Sequence, residues 1–134
     1  MTSSAKPKVV LGQRPKHVSL AVDITLPDGS VAAVVMQYLY RTRREYGDMV
    51  DKLLADARAA DERDPPAASY SEAERQRRVL DVTAEHILSI ADGWDLDEPF
   101  GPDAVRQLCD ELPGGAQAIV DHYRIAIVEG RRGN

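Results

Sequence analysis

Residues 17–40, HVSLAVDITLPDGSVAAVVMQYLY, decide the fold of this 134-residue chain. In the first part of the stretch every second side chain is apolar, and these side chains are Val18, Leu20, Val22, Ile24 and Leu26. Strict alternation over this length is typical of a half-buried β-strand. The sequence Pro27-Asp28-Gly29 then predicts a turn, since proline presets φ and glycine accepts a positive φ. The stretch is therefore predicted to form an antiparallel β-hairpin.

The return strand, residues 31–40, carries apolar side chains on both faces. One face has Val34, Met36, Tyr38 and Tyr40, and the other has Val31, Ala33, Val35 and Leu39. A strand that is apolar on both sides is typical of one that is covered on both sides. We therefore expect both faces of this strand to be covered.

The apolar period changes to that of a helix after the hairpin. One stripe with helical spacing consists of Tyr46, Met49, Val50, Leu53, Leu54 and Ala57. This pattern predicts a helix over residues 43–61. Residues 61–68 are charged and contain Pro65-Pro66, so they are predicted to form an exposed connection.

A capping box opens the next predicted helix, residues 71–92, because Ser71 and Glu74 can each satisfy a free backbone N–H at the other position. Its apolar residues form two stripes, with Val79, Val82, Ile87 and Ile90 on one and Leu80, Ala84, Leu88 and Ala91 on the other. We therefore expect this helix to be buried on more than one side. Gly93 is predicted to be left-handed after the last turn, which places Trp94 against Leu88.

Two further helices are predicted in the last third of the chain. Phe100 is placed to contact Val105 across the first turn of a helix that begins at Pro102. This helix is expected to stop at Pro113. Gly114-Gly115 then opens a last helix that ends near residue 130, with an inner stripe of Ala116, Ile119, Val120, Tyr123 and Ile127.

Length and composition bound the architecture. The chain is 43% apolar and 29% charged, which is ordinary for a soluble globular protein. Residues 1–15 are predicted to form a flexible N-terminal arm, and residues 16–134 a single α+β domain. In this domain an N-terminal antiparallel β-hairpin is expected to pack on a bundle of about four helices. No apolar run is long enough to cross a membrane.

Few side chains have the spacing that an active or metal site needs. Asp95, Asp97 and Glu98 begin like a calcium loop, but Phe100 takes the sixth position, where the bend needs glycine. The single cysteine, Cys109, fits a buried position in a reducing cytoplasm. Zinc-ligand partners are missing around the histidines, which are His17, His86 and His122. We therefore predict no catalytic, metal or cofactor site and no cofactor.

Two arginine clusters are the strongest sign of nucleic-acid binding, since phosphate contacts need clustered positive charge. They are Arg41, Arg43 and Arg44, and Arg75, Arg77 and Arg78. The net charge of −5 and nearby acidic residues favour solvated helix faces with ion pairs instead. A DNA-binding regulatory protein is therefore the second interpretation of the chain, and a small-ligand enzyme the third.

Four aromatic residues are candidates for a partner-binding surface, and they are Tyr38, Tyr40, Trp94 and Phe100. Packing in the core or at a helix end is the ordinary role of such side chains. Aromatic side chains are also enriched at the centres of protein interfaces. Both roles stay open for the four residues at this point.

The last third of the chain resembles a known family. Its motifs are Gly93-Trp94-Asp95, Leu112-Pro113-Gly114-Gly115, Tyr123-Arg124 and Arg131-Arg132-Gly133-Asn134. In this order they resemble the carboxyl-terminal half of the tail assembly chaperones of long-tailed bacteriophages and prophages. The resemblance extends over residues 17–134, with Tyr40-Arg41-Thr42-Arg43 as a second point of similarity, and is most specific over residues 87–134.

The resemblance implies a non-catalytic role in phage assembly. Such a chaperone escorts the long, largely helical tape measure protein in the bacterial host cytoplasm and helps tail tube subunits assemble around it. It is typically absent from the finished particle. We therefore expect the tape measure protein as the partner and the tail tube protein as a second candidate. We expect no nucleic-acid or membrane partner, since the net charge of −5 disfavours binding to either, and self-association stays open.

Overall fold

The computed structural model describes residues 6–63 and 66–131. Within these ranges the chain forms a three-stranded antiparallel sheet and four α-helices. In chain order the elements are β1 (His17–Thr25), β2 (Val31–Leu39), α1 (Arg43–Arg63), a short 3-10 helix (Ala67–Ser69), α2 (Glu72–Ile90), β3 (Ala91–Trp94), α3 (Pro102–Glu111) and α4 (Pro113–Val128). The predicted α+β class, with a hairpin followed by four helices, is confirmed.

The hairpin forms as the alternating pattern predicts. β1 pairs with β2 along the full length of both strands. In the turn Gly29 has a φ of 89°, and the Asp28 carboxylate accepts hydrogen bonds from the Ser30 backbone N–H and hydroxyl at 2.9 and 2.6 Å. The two strands bury one face, which consists of Val18, Val22, Ile24, Val34, Met36 and Tyr38.

The outer face of the hairpin is open. Val31, Ala33 and Val35 of β2 are exposed there. The expectation that both faces are covered is therefore wrong. Its physical reason is that α2 and α4 contribute their buried side chains to the same cluster as the inner face, so both helices lie on one side of the sheet.

The third strand, β3, lies where the sequence predicts a left-handed helix end. Gly93 pairs with Gln37 of β2 and has no positive φ, so that prediction is wrong. The Asp95 backbone N–H donates to the Val35 carbonyl at 3.1 Å, and the Val35 N–H donates to the Asp95 carboxylate at 2.8 Å. The chain after α2 therefore continues directly into the sheet and bonds to the second edge of β2 over residues 35–38.

One hydrophobic cluster joins the inner sheet face to the helices. From α2, α3 and α4 it takes Ala84, Ile87, Ile90, Val105, Leu108, Cys109, Ala116, Ile119 and Tyr123. Burial raises the pKa of the Cys109 thiol, as expected for a small apolar residue in a core. α1 buries no residue completely. None of the described helices is both long and apolar enough to cross a membrane.

The starts of α2, α3 and α4 follow their sequence signals. The Ser71 hydroxyl accepts from the Glu74 N–H at 3.2 Å, and the Glu74 carboxylate accepts from the Ser71 N–H at 3.3 Å, so the predicted capping box is confirmed. Pro102 begins α3, and Pro113 begins α4 one residue before the predicted glycine pair. Pro65 of the predicted connection and residues 132–134 of the basic end lie outside the described residues.

The arm, as far as it is described, contains no helix or strand over residues 6–15. Arg14 forms an ion pair with Glu45 of α1, and its guanidinium carbon lies 5.3 Å from the centre of the Tyr40 ring. Residues 1–5 lie outside the described part. The flexibility of the arm and the single domain over residues 16–134 stay predictions.

We expect Gly115→Ala to destabilise the fold. A Cβ atom at position 115 would lie 2.6 Å from Cγ2 of the buried Ile24 side chain. Overpacking of this kind costs about 1 to 3 kcal/mol. Gly114→Ala is the matched control in the same helical turn, because nothing lies within 4 Å of its Cβ position. Urea denaturation compares the two variants, and equal stabilities would show that α4 does not need this close approach to β1.

Candidate partner-binding surface

The structure separates the four aromatic candidates. Tyr38 is fully buried, and its hydroxyl donates to the Ile119 carbonyl of α4 at 2.7 Å. Burial also raises the pKa of Tyr38 far above its ordinary value. A ring with no accessible surface offers nothing to a partner. Tyr38 is therefore a core residue and leaves the candidate set.

Tyr40 lies half-buried where the arm meets the end of the hairpin. The Arg14 guanidinium covers its ring. Nearby, His17 Nε2 lies 2.8 Å from Asp92 Oδ2, and this contact lowers the pKa of the Asp92 carboxyl. The charges named here are thus paired within the chain. The surface around Tyr40 therefore offers a partner mainly polar contacts. These contacts would have to compete with the contacts that Arg14 and Asp92 already make within the chain.

Trp94 and Phe100 are the two candidates that the structure brings together. Their rings meet edge to face, with centroids 5.0 Å apart and planes at 83°. The Trp94 indole N–H donates to the Glu98 carbonyl at 2.6 Å, which closes the loop between β3 and α3. Both rings keep partial exposure beside Leu96. The pair has a structural role, and a role of Tyr40, Trp94 and Phe100 in partner binding stays a prediction.

Apolar side chains of α1 and of α2 are exposed. Leu54 of α1 is 58% exposed, and Val79 and Val82 of α2 are 62% and 52% exposed. Between the helices runs a groove of about 350 Å³, here called the α1–α2 groove, which is lined by Leu53, Asp56, Ala57, Ala60, Asp81, Val82 and Glu85. The prediction that α2 is buried along both stripes is therefore wrong at Val79 and Val82.

The groove exists because α1 is held mainly at its beginning. The Tyr46 and Tyr123 rings pack with centroids 6.0 Å apart, and Met49 packs against the core cluster. Further along the same stripe, Leu53 and Ala57 are only half-covered and lie outside that cluster. The stripe predicts the helix correctly, but its spacing carries no information on which part of the apolar face the rest of the chain covers.

A second groove, of about 480 Å³, runs along the other side of α2. Val79, Leu80 and Thr83 of α2 line it, together with Cys109 of α3 and Ala116 of α4. α2 therefore forms a ridge between two grooves, with an exposed valine on each side. This arrangement gives α2 an apolar surface around Val79 and Val82 that the described residues do not cover.

The rim of the α1–α2 groove is acidic. Asp56 pairs with Lys52 at 2.9 Å and raises the pKa of that amine, and Asp81 pairs with Arg106 at 3.4 Å. Glu85 adds a third carboxylate to the lining. Exposed pairs of this kind contribute little energy, so a cationic partner can compete for these carboxylates.

Arginines of both predicted clusters are engaged within the chain. Arg41 donates to the Tyr123 hydroxyl at 3.2 Å, and Arg43 donates twice to the Val128 carbonyl at the end of α4, at 3.1 and 2.7 Å. Arg75 pairs with an acidic neighbour in its own helix. Side chains that hold helix ends in place are not free to follow a phosphate backbone, which weighs against the nucleic-acid interpretation.

Other titratable groups do not converge. In the described ranges, no group of three His, Cys, Asp or Glu side chains could hold a metal ion. Asp95, the first residue of the acidic loop, uses its carboxylate on the Val35 N–H. His86 of α2 is half-buried, and no described residue bonds to its Nε2. Burial and the nearby Arg41 charge lower the pKa of His86.

Comparison with known proteins identifies the family. A family model described as phage tail assembly chaperone matches residues 4–134. The chain belongs to this family. No curated protein and no solved structure matches the chain. The resemblance carried by residues 87–134 is thus confirmed, and the match extends through most of the arm.

Several residues of the motifs that carry the resemblance have structural roles in this chain. Gly93 and Trp94 belong to β3, Gly115 lets α4 approach Ile24, and the buried Tyr123 hydroxyl donates to a β2 carbonyl. These residues build the fold. These structural roles leave partner binding by Trp94 a prediction.

We expect the free energy of unfolding to fall as pH falls from about 7.5 to about 5.5. The folded chain holds His86 with a lowered pKa, so the unfolded chain takes up a proton first as pH drops. His86→Gln should flatten this pH dependence, whereas His122→Gln, the matched control on α4, should retain it. Denaturant titrations at several pH values measure the slopes. The same slope in wild type and His86→Gln would rule out His86 as its source.

Proposed function

We propose that this tail assembly chaperone binds the tape measure protein of its phage or prophage through the α1–α2 groove. The observation that carries the proposal is the groove itself, where the exposed Val82 of α2 lies beside the half-covered Leu53, Ala57 and Ala60 of α1. Apolar grooves between helices accept one face of an amphipathic helix. A long, largely helical tape measure protein offers such faces repeatedly.

The acidic rim of the α1–α2 groove favours client helices that carry positive charge. Asp56, Asp81 and Glu85 favour a client helix that carries Lys or Arg beside its apolar face. The same carboxylates, within a chain of net charge −5, repel duplex DNA. A protein client is therefore the better match to this surface.

In the proposed role the chaperone acts without catalysis, in the bacterial host cytoplasm, and is absent from the mature virion. It keeps the tape measure protein soluble until the tail tube protein, a second proposed partner, assembles around it. The physical causes of the shifted pKa values of Tyr123 and Cys109 support a non-catalytic role. Burial is the first cause of the raised pKa of Tyr123 and of Cys109, whereas nucleophilic catalysis needs a nucleophile that a neighbouring base activates.

Co-expression with the tape measure gene product tests the function. The chaperone should raise the soluble fraction of the tape measure protein several-fold, and the complex should survive size exclusion at moderate salt, since buried apolar contacts are screened less than charge contacts. A tape measure protein that is no more soluble with the chaperone than without it would refute the proposal. Salt-sensitive retention of the chaperone on duplex DNA would favour the regulatory interpretation instead.

A single charge in the groove tests the site. Val82→Lys should reduce affinity for the tape measure protein at least tenfold, or about 1.4 kcal/mol, because it places an amine where the client's apolar face packs. The fold should tolerate the change, since the side chain is already 52% exposed. Val31→Lys is the matched control at a 63% exposed position in the hairpin. Titration calorimetry that gives both variants the same affinity would place the site elsewhere.

A further inference from the structure

The outer edge of β1 is a second surface that the fold leaves open. The sheet order is β1-β2-β3, so β1 pairs on one side only. Just outside the strands, the Tyr40 N–H donates to the Lys16 carbonyl. At the turn end, the Leu26 N–H donates to the Ser30 carbonyl. Antiparallel pairing alternates, so the even-numbered residues of β1 bond to β2, and the odd-numbered residues direct their N–H and C=O groups outward.

These outward groups have no partner among the described residues. The odd-numbered side chains of β1 are also exposed, and they are His17, Ser19, Ala21, Asp23 and Thr25. Arg14, in the described part of the arm, is held at Tyr40 and Glu45, toward β2 and α1. A row of free backbone donors and acceptors is a template for another strand.

The two edges of the sheet differ in protection. β3 has four residues, and its pairing with β2 shifts register between Gln37 and Tyr38. Short length and a bulge both discourage edge-to-edge pairing. β1 has nine residues in unbroken register, with neither proline nor lysine among them. The unprotected edge is therefore β1.

We propose that a second copy of this chain pairs with β1 in antiparallel orientation, about a two-fold axis at Ala21. The two three-stranded sheets then form one continuous sheet. In this register Ser19 lies opposite Asp23 of the second copy, so the Ser19 hydroxyl can donate to that carboxylate. On the inner face, the half-exposed Leu20 lies opposite Val22 of the second copy and gains apolar cover.

The sequence of β1 favours this register over its neighbours. An axis at Asp23 would place two carboxylates directly opposite each other, which is destabilising. An axis at any other residue leaves at least one of the outward-facing residues, from His17 to Thr25, without a partner. Only the axis at Ala21 pairs all of them while it keeps Asp23 opposite a neutral hydrogen-bond donor.

The proposal is tested by sedimentation equilibrium of the full chain and two charge variants. Wild type should approach twice the 14.7 kDa chain mass. Ser19→Asp puts a carboxylate opposite Asp23 twice in the symmetric pair, so we expect the dimer Kd to rise about tenfold. The double variant Ser19→Asp with Asp23→Ser exchanges the two positions and should restore the wild-type Kd. Ser19→Asn is the neutral control and should dimerise as wild type does.

A backbone variant separates dimer loss from unfolding. Ala21→Pro removes one outward N–H, which β2 does not use, so proline is tolerated at this edge position. This variant should be monomeric and keep the circular dichroism spectrum of the folded chain. The proposal is overturned if wild type stays monomeric at every soluble concentration, if Ser19→Asp dimerises as wild type does, or if the double variant fails to restore the dimer. These measurements need no tape measure protein, so their failure would leave the groove as the client site intact.

Discussion

Two tyrosine hydroxyls join the hairpin to the last helix, and the rest of the fold depends on that joint. Tyr38 of β2 donates to the Ile119 carbonyl of α4 at 2.7 Å, and Tyr123 of α4 donates to the Leu39 carbonyl of β2 at 2.8 Å. A buried hydroxyl without a partner costs about 1 to 3 kcal/mol, so these bonds fix the helix in one position along the strand. At the other end of α4, Gly115 allows contact with Ile24. α2 and α3 fill the space that this fixed helix leaves beneath the sheet.

The sequence predicts those parts of the fold that local chemistry decides. Alternation predicts β1, and the hydroxyl and carboxylate of Ser71 and Glu74 predict the start of α2. The sequence does not predict β3, because Ala91–Trp94 shows no alternating apolar pattern of its own. That strand forms because β2 has free backbone groups at its second edge, and this is a property of the folded hairpin. By sequence, Gly93 is compatible with a left-handed helix end and with an extended strand. Pairing with β2, which is distant in sequence, selects the extended conformation.

The candidate surface was harder to predict for a related physical reason. An apolar stripe shows that a helix face avoids water, but not whether the same chain or another chain covers it. Val82 has the spacing of a core residue, yet it remains exposed because α1 is held near Tyr46 and leaves the groove open farther along. Aromatic residues give the opposite error, because Tyr38 is a candidate for a partner-binding surface by sequence but is buried in the core. How much of the apolar face of α2 is covered depends on where α1 docks. The spacing of apolar residues in α1 does not determine that position.

The proposed groove and the proposed β1 pairing complement each other energetically. Each buried valine or leucine contributes about 1.5 to 3 kcal/mol, while association costs about 4 to 15 kcal/mol, so one groove with a few such residues binds weakly. In the proposed dimer, two grooves joined through paired β1 edges would engage a long client at effective concentrations near millimolar, which would raise the combined affinity without any new contact. Each single contact nevertheless stays weak enough to break quickly. The proposed role, in which the chaperone coats a client and then gives way to tail tube subunits, needs both properties, and the proposed groove on the proposed paired scaffold would provide them.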